Sequence, residues 1–78
     1  MPYVQVRYFG AIAEITGKEQ ERIPFSGQFN DLLETLKTKY SLLQTADYQV
    51  SVNFTIIQDN PILNDGDEIA LLPPFAGG

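Results

Sequence analysis

Between Tyr3 and Phe9 the chain alternates, with Val4, Val6 and Tyr8 on one side and Gln5 and Arg7 on the other. That period of two marks a strand with one buried face. Gly10 interrupts it, Ala11-Ile12-Ala13-Glu14-Ile15 reads as a short helix, and Gly17 after Thr16 supplies a left-handed stop. Residues 19–25 predict a more polar second strand, neighbour to the first, in which Ile23 and Phe25 share a face. Pro24 lacks an N–H for a ladder and so marks an edge or a strand end.

Phe29, Leu32, Leu33, Leu36 and Tyr40 recur at helical spacing and line one side of a helix of about three turns. Asp31 and Glu34 fall early on its wet side and Lys37 and Lys39 late, as the helix dipole prefers. Gln28 and Asn30 are the candidates to cap its start. Residues 41–47 predict one more helical turn or a loop. Tyr48, Val50 and Val52 then alternate with Gln49, Ser51 and Asn53 as a third strand, and residues 54–57 form a short fourth one before Asp59-Asn60-Pro61 breaks the pattern. Asn64-Asp65-Gly66-Asp67 is a turn, and Glu68 to Leu72 is a last strand stopped by Pro73-Pro74. Strands at both ends with one substantial helix between them predict an α+β fold, a β-grasp. Its mixed sheet would have four to five strands, with the main helix packed on one face. The expected division is a domain over 1–73 and a flexible tail over 74–78.

The chain has 78 residues, 44% hydrophobic and 19% charged, the composition of one small globular domain. A chain of this size hides only about 60–65% of its unfolded surface, which leaves little room for a deep pocket. Ten acidic against five basic residues give a net charge of −5. That charge disfavours nucleic acid and anionic membranes as partners and favours a basic protein surface. Cys and His are absent, so the chain builds no disulfide, zinc cage, thiol nucleophile or Ser/His/Asp relay of its own. The start, Met1-Pro2-Tyr3-Val4-Gln5-Val6-Arg7, lacks the charged and apolar segments of a signal peptide, and no run reaches membrane-spanning length. A cytoplasmic location is expected.

If Ile69 and Leu71 face the helix, Ala70 and Leu72 face the other side of the sheet, where a lone soluble domain places polar groups. With Phe75 continuing the apolar surface, that face predicts a contact patch. The ending Pro73-Pro74-Phe75-Ala76-Gly77-Gly78 is the most informative segment. A chain ends in diglycine by chance roughly once in two hundred. Two prolines project the chain stiffly away from the sheet, and two glycines without Cβ let its tip thread a channel too narrow for side chains. The six residues after Leu72 reach at most about 20 Å. The reactive group at the tip would be the Gly78 α-carboxylate. Ionised at neutral pH, it is a poor electrophile, so its use requires activation, most simply adenylation by a partner that holds ATP.

Other constellations carry less. With Gly66 at the sixth position of a calcium loop, Pro61 would be first and Leu72 twelfth, where carboxylates are required. Gly17-Lys18 lacks the phosphate-loop spacing. Gly10 and Gly17 read as structural punctuation, and Lys18, Lys37 and Lys39 as solvated charges.

Several elements together resemble the small subunits of molybdopterin synthases, a family of ubiquitin-like sulfur carriers. They are Tyr8-Phe9-Gly10 with the short helix to Gly17, the Val50-Ser51-Val52-Asn53 strand end, Asp65-Gly66-Asp67-Glu68, and diproline, two residues, then terminal diglycine. The resemblance spans essentially the whole chain. It implies that an E1-like adenylyltransferase adenylates the Gly78 carboxylate, which is then converted to a thiocarboxylate. The tail would enter the large synthase subunit and give its sulfur to a cyclic pyranopterin precursor. On that reading Gly77 and Gly78 form the threading tip, and Ala70, Leu72, Pro73, Pro74, Phe75 and Ala76 the docking surface. The catalytic side chains belong to the large subunit, and the chain itself binds no cofactor, ATP being used by the activating partner. Ala13 stands where many members carry arginine, Phe75 where they carry a small β-branched residue, and Phe54 where a polar turn residue is common. The alternatives are a sulfur carrier for thiamine or cysteine biosynthesis, a ubiquitin-like modifier joined to lysine, and a non-covalent module that uses the sheet face alone.

Overall fold

The computed structural model describes residues 2–74. In chain order the elements are β1 (Tyr3–Tyr8), α1 (Ala11–Thr16), β2 (Gln20–Pro24), β3 (Gly27–Gln28), α2 (Phe29–Lys39), a 3-10 turn (Ser41–Gln44), β4 (Gln49–Val52), β5 (Thr55–Ile56), β6 (Ile62–Leu63) and β7 (Glu68–Leu72). Five strands form one sheet in the order β2-β1-β7-β4-β5, and β3 pairs with β6 as a separate ribbon. β1 and β7 run parallel and the other pairs antiparallel. This is the mixed sheet of a β-grasp, with β2 at an edge as Pro24 requires.

The core follows from two periods meeting. Val6 lies opposite Glu21 on one side and Ile69 on the other, and Tyr8 lies opposite Leu71. The helix-facing side chains of β1 and β7 therefore form one layer. Leu32 and Leu36 of α2 close over it at 0% and 1% exposure. Each such leucine contributes about 1.5–3 kcal/mol of burial, which is why a 78-residue chain holds together on so few of them. Gly17 ends α1 at φ 77°, as its position foretold. Leu43, in the segment the pattern left open, is buried in the 3-10 turn while Leu42 beside it is exposed.

Two local features differ from the sequence reading. Neither Gln28 nor Asn30 caps α2 through its side chain. The Asn60 Oδ1 instead accepts the Asn30 N–H at 2.7 Å, and the Pro61 carbonyl accepts the Phe29 N–H at 2.8 Å. A loop thirty residues away thus satisfies the orphan donors of the helix. The β3–β6 ribbon was not expected, because two-residue strands carry no periodicity. Lys18 and Lys39 are exposed, as expected, and both also reach the Glu21 Oε1, at 3.4 and 2.6 Å.

Glu21 is in phase with Ile23 and Phe25, so strand alternation turns a carboxylate toward the helix side of the sheet. Its Oε2 accepts the Tyr8 hydroxyl at 2.6 Å and the Tyr40 hydroxyl at 2.5 Å. The two rings meet edge to face, 5.9 Å apart. Burial opposes the charge, but hydrogen bonds from Lys39, Tyr40 and Tyr8 outweigh it and pull the carboxyl from 4.5 down to about 2. Burial, reinforced by the hydrogen bond to Glu21, pushes the Tyr8 hydroxyl well above its ordinary range, so it stays a donor.

Because the folded-state value is depressed, this stabilisation is complete above the unfolded pKa of 4.5 and is lost as pH falls toward about 2. It amounts to roughly 3 kcal/mol. Glu21→Gln is expected to destabilise the fold by about 2–3 kcal/mol at neutral pH. It should also flatten the acid limb of the stability profile, as read by urea melts from pH 7 to 2.

Candidate functional site

β7 ends at Leu72, and the root of the tail emerges at the centre of the sheet, between the end of β1 and the start of β4. The Phe9 N–H donates to the Leu71 carbonyl at 3.1 Å, which closes the β1 side. Gln49 is the register partner of Leu72 on the β4 side. Pro73 then lies against Gly10, where an added Cβ would come within 2.9 Å of the proline Cγ. Gly10 also has φ 56° and ψ −131°, a region essentially closed to other residues. The chain turns into α1 there, Phe9 O accepting the Ile12 N–H at 3.1 Å. Gly10 is thus more than punctuation, because it is the seat on which the first proline rests and it sets the direction in which the tail leaves. Pro74 is exposed. Phe75, Ala76, Gly77 and Gly78 lie outside the described residues.

The sheet face away from the helix carries Ala70 and Leu72, as the strand alternation predicts. Ala70 is on this face, paired between Arg7 of β1 and Ser51 of β4. Its methyl is only 8% exposed, because longer neighbours rise around it. One of these is Arg7, which leans toward Glu68, with Nε 3.2 Å from Oε2. Leu72 is half-buried. Two further apolar residues join this face that sequence reasoning did not single out. Phe9, 42% exposed, continues the parity of Gln5 and Arg7. Ile56, 46% exposed, lies opposite Ser51. The strand alternation already contained the signal for Phe9, whereas Ile56 joins the face only through the β4–β5 pairing.

The resulting surface is an apolar group of Phe9, Leu72 and Ile56 around a low floor at Ala70, bordered by the Arg7–Glu68 pair. Among the described residues no group of three or more His, Cys, Asp or Glu side chains is placed to hold a metal ion. No helix among them is long and apolar enough to cross a membrane. The acidic side chains of the 64–67 turn serve as hydrogen-bond acceptors. Asp65 takes the Tyr3 N–H at 3.0 Å and Asp67 the Asn64 N–H at 2.7 Å.

Gly10→Ala is expected to cost about 1–3 kcal/mol through its backbone conformation and to push Pro73 off its seat. Chemical denaturation would show the loss, and displaced Pro73 carbon signals in the NMR spectrum would show the shift of the tail root.

Comparison with known proteins agrees with this geometry. A sulfur carrier subunit of molybdopterin synthase from Mycobacterium tuberculosis is 35% identical, over 96% of each chain. The human protein of the same description is 34% identical, over 96% of this chain and 93% of its own. Among solved structures, a complex of subunits 1 and 2 of the molybdopterin-converting factor from Helicobacter pylori contains a chain 32% identical, with a TM-score of 0.73 over 97% of this chain and 99% of that one. A putative molybdopterin-converting factor subunit 1 from Pyrococcus furiosus aligns with a TM-score of 0.85 at 25% identity, over 96% of this chain and all of that one, 100%. The ThiS family profile matches residues 6–78, nearly the full length. The chain belongs to the ThiS family.

Proposed function

We propose that this protein is the sulfur carrier subunit of a molybdopterin synthase, acting in molybdenum cofactor biosynthesis. The observation that carries the reading is the exit of the chain from the central strand of the sheet. Pro73 is seated on Gly10, beside an exposed apolar face, with three residues between it and a terminal diglycine. The relatives whose names describe a molybdopterin synthase sulfur carrier subunit support the choice of pathway.

On this reading the Gly78 carboxylate is the working group. An E1-like adenylyltransferase joins one of its oxygens to the α-phosphate of ATP and releases pyrophosphate. A sulfur donor then displaces AMP to leave a thiocarboxylate. The sulfur comes from outside, as a chain without cysteine requires. The large synthase subunit receives the tail, with Gly77 and Gly78 passing where a side chain would not fit. Leu72, Pro73, Pro74, Phe75 and Ala76, with the floor at Ala70 and the flanking Phe9 and Ile56, form the docking surface. The thiocarboxylate sulfur attacks the cyclic pyranopterin precursor to give a thioester, water cleaves its C–S bond to leave sulfur on the pterin and restore the Gly78 carboxylate, and the large subunit supplies the acid–base groups. The cytoplasm, where the precursor and ATP are at hand, is the proposed location.

The decisive experiment is intact-mass analysis after incubation with the adenylyltransferase, ATP and a sulfur donor. The full chain is expected to gain the difference between sulfur and oxygen. A chain lacking Gly78, or extended by one residue, should show no gain while melting at the same temperature. Sulfur transfer by the shortened chain would overturn the reading. Leu72→Glu should leave the melting temperature nearly unchanged and weaken association with the large subunit about ten-fold or more.

A further inference from the structure

The closed end of the β4–β5 hairpin carries a residue that its own backbone disfavours. A two-residue loop joins Val52 to its register partner Thr55. Both loop residues have positive φ, 50° at Asn53 and 72° at Phe54. This is the primed turn whose favoured sequence is Asn-Gly. Asn53 suits its place. Its Nδ2 donates to the Asp67 Oδ1 at 3.0 Å, its Oδ1 accepts the Glu68 N–H at 2.9 Å, and its own N–H donates to the Glu68 carbonyl at 2.7 Å. Phe54 does not suit its place. In the left-handed region a Cβ crowds the backbone carbonyl, a cost that glycine avoids. Nor does burial offset that cost in the free chain, because the residue is 84% exposed.

The loop is pinned by two hydrogen bonds to the first residue of β7 and one to Asp67 before it, so it displays the ring on a rigid base that loses little freedom on docking. Aromatic anchors of this kind carry a disproportionate share of interface energy. The position is also continuous with the outer face. Ile56, two residues on, faces outward in register with Ser51 and Ala70. From Gln49, the partner of Leu72, to Phe54 is about 15 Å at the rise of a strand. A standard interface of about 800 Å² per partner is roughly 30 Å across, so a protein centred on Leu72 reaches the loop. The Asp67 carboxylate bonds the loop directly, in a chain of net charge −5. Charge complementarity then calls for a positive rim on the other side.

We propose that Phe54 is a second anchor for the large synthase subunit, filling an apolar socket rimmed by Lys or Arg; this rests on the carrier function proposed above. The tail root anchors one end of the outer face and the ring anchors the other.

The two roles of Phe54 move in opposite directions on substitution, which makes the test sharp. The full-length chain is titrated calorimetrically against the large subunit of the same organism, alongside Phe54→Gly and Phe54→Leu. Phe54→Gly is expected to raise the melting temperature by about 4 °C and to weaken binding about ten-fold or more. Phe54→Leu keeps the apolar bulk and should bind within about three-fold of wild type. Wild-type affinity for Phe54→Gly would refute the anchor and leave the carrier function standing. Failure of the unaltered chain to bind the large subunit would remove both. A lower melting temperature for Phe54→Gly would make the ring part of the fold, and a smaller sedimenting mass would assign it to contacts between copies. Either result overturns the proposal.

Discussion

β7 is inserted between β1 and β4, parallel to one and antiparallel to the other, and the placement of the tail depends on that insertion. A C-terminal strand at an edge can fray, but one at the centre has to break two ladders at once. Ile69 and Leu71 are both at 0% exposure beneath the helices, so the strand is also locked from one face. The segment that leaves the sheet at Pro73 is therefore rooted in its best-held strand. Under the proposed function, a partner that threads the tail would act on it without unravelling the domain behind it.

The strongest electrostatics in the molecule serve a different purpose. Glu21, Tyr8, Tyr40, Lys39 and Lys18 form a network that ties the edge strand β2 to β1 and to the end of α2. A shifted carboxyl with two tyrosines and two lysines is the kind of cluster that elsewhere marks an active site. Here it lies on the helix side of the sheet, whereas Leu72 and the apolar patch are on the other side, and every polar group in it is satisfied by another. It functions as a joint. On the proposed carrier reading the working group is the Gly78 carboxylate, which leaves these perturbed groups to serve stability.

The outer face presents a small apolar area of defined shape. Ala70 contributes a flat floor rather than bulk, and Phe9, Leu72 and Ile56 stand around it. Gly10 contributes through what it lacks, since any Cβ would occupy the seat of Pro73. On the proposed reading, recognition would fall to the residues that present surface and the aim of the tail to the one that leaves room.

Much of this was readable from the chain alone, wherever a property is local. Alternation over 3–9 and 48–52, the helical stripe from Phe29 to Tyr40, Gly17 as a stop and the 64–67 turn all depend on neighbours a few residues away. The diglycine ending likewise carries its chemistry in its composition. What the pattern missed depended on residues distant in sequence. Asn60 caps a helix that begins at Phe29, Leu63 pairs with Gly27, Pro73 rests on Gly10 and two lysines converge on Glu21. Even the phase that turns Glu21 inward was present in the sequence, but nothing there revealed the two hydroxyls waiting for it. Periodicity records which way a side chain points relative to its own strand, whereas what it meets is decided by the register and crossing of strands. Those are set only when the whole sheet closes, and with that closure the seat of Pro73 on Gly10 and the membership of the outer apolar face were decided.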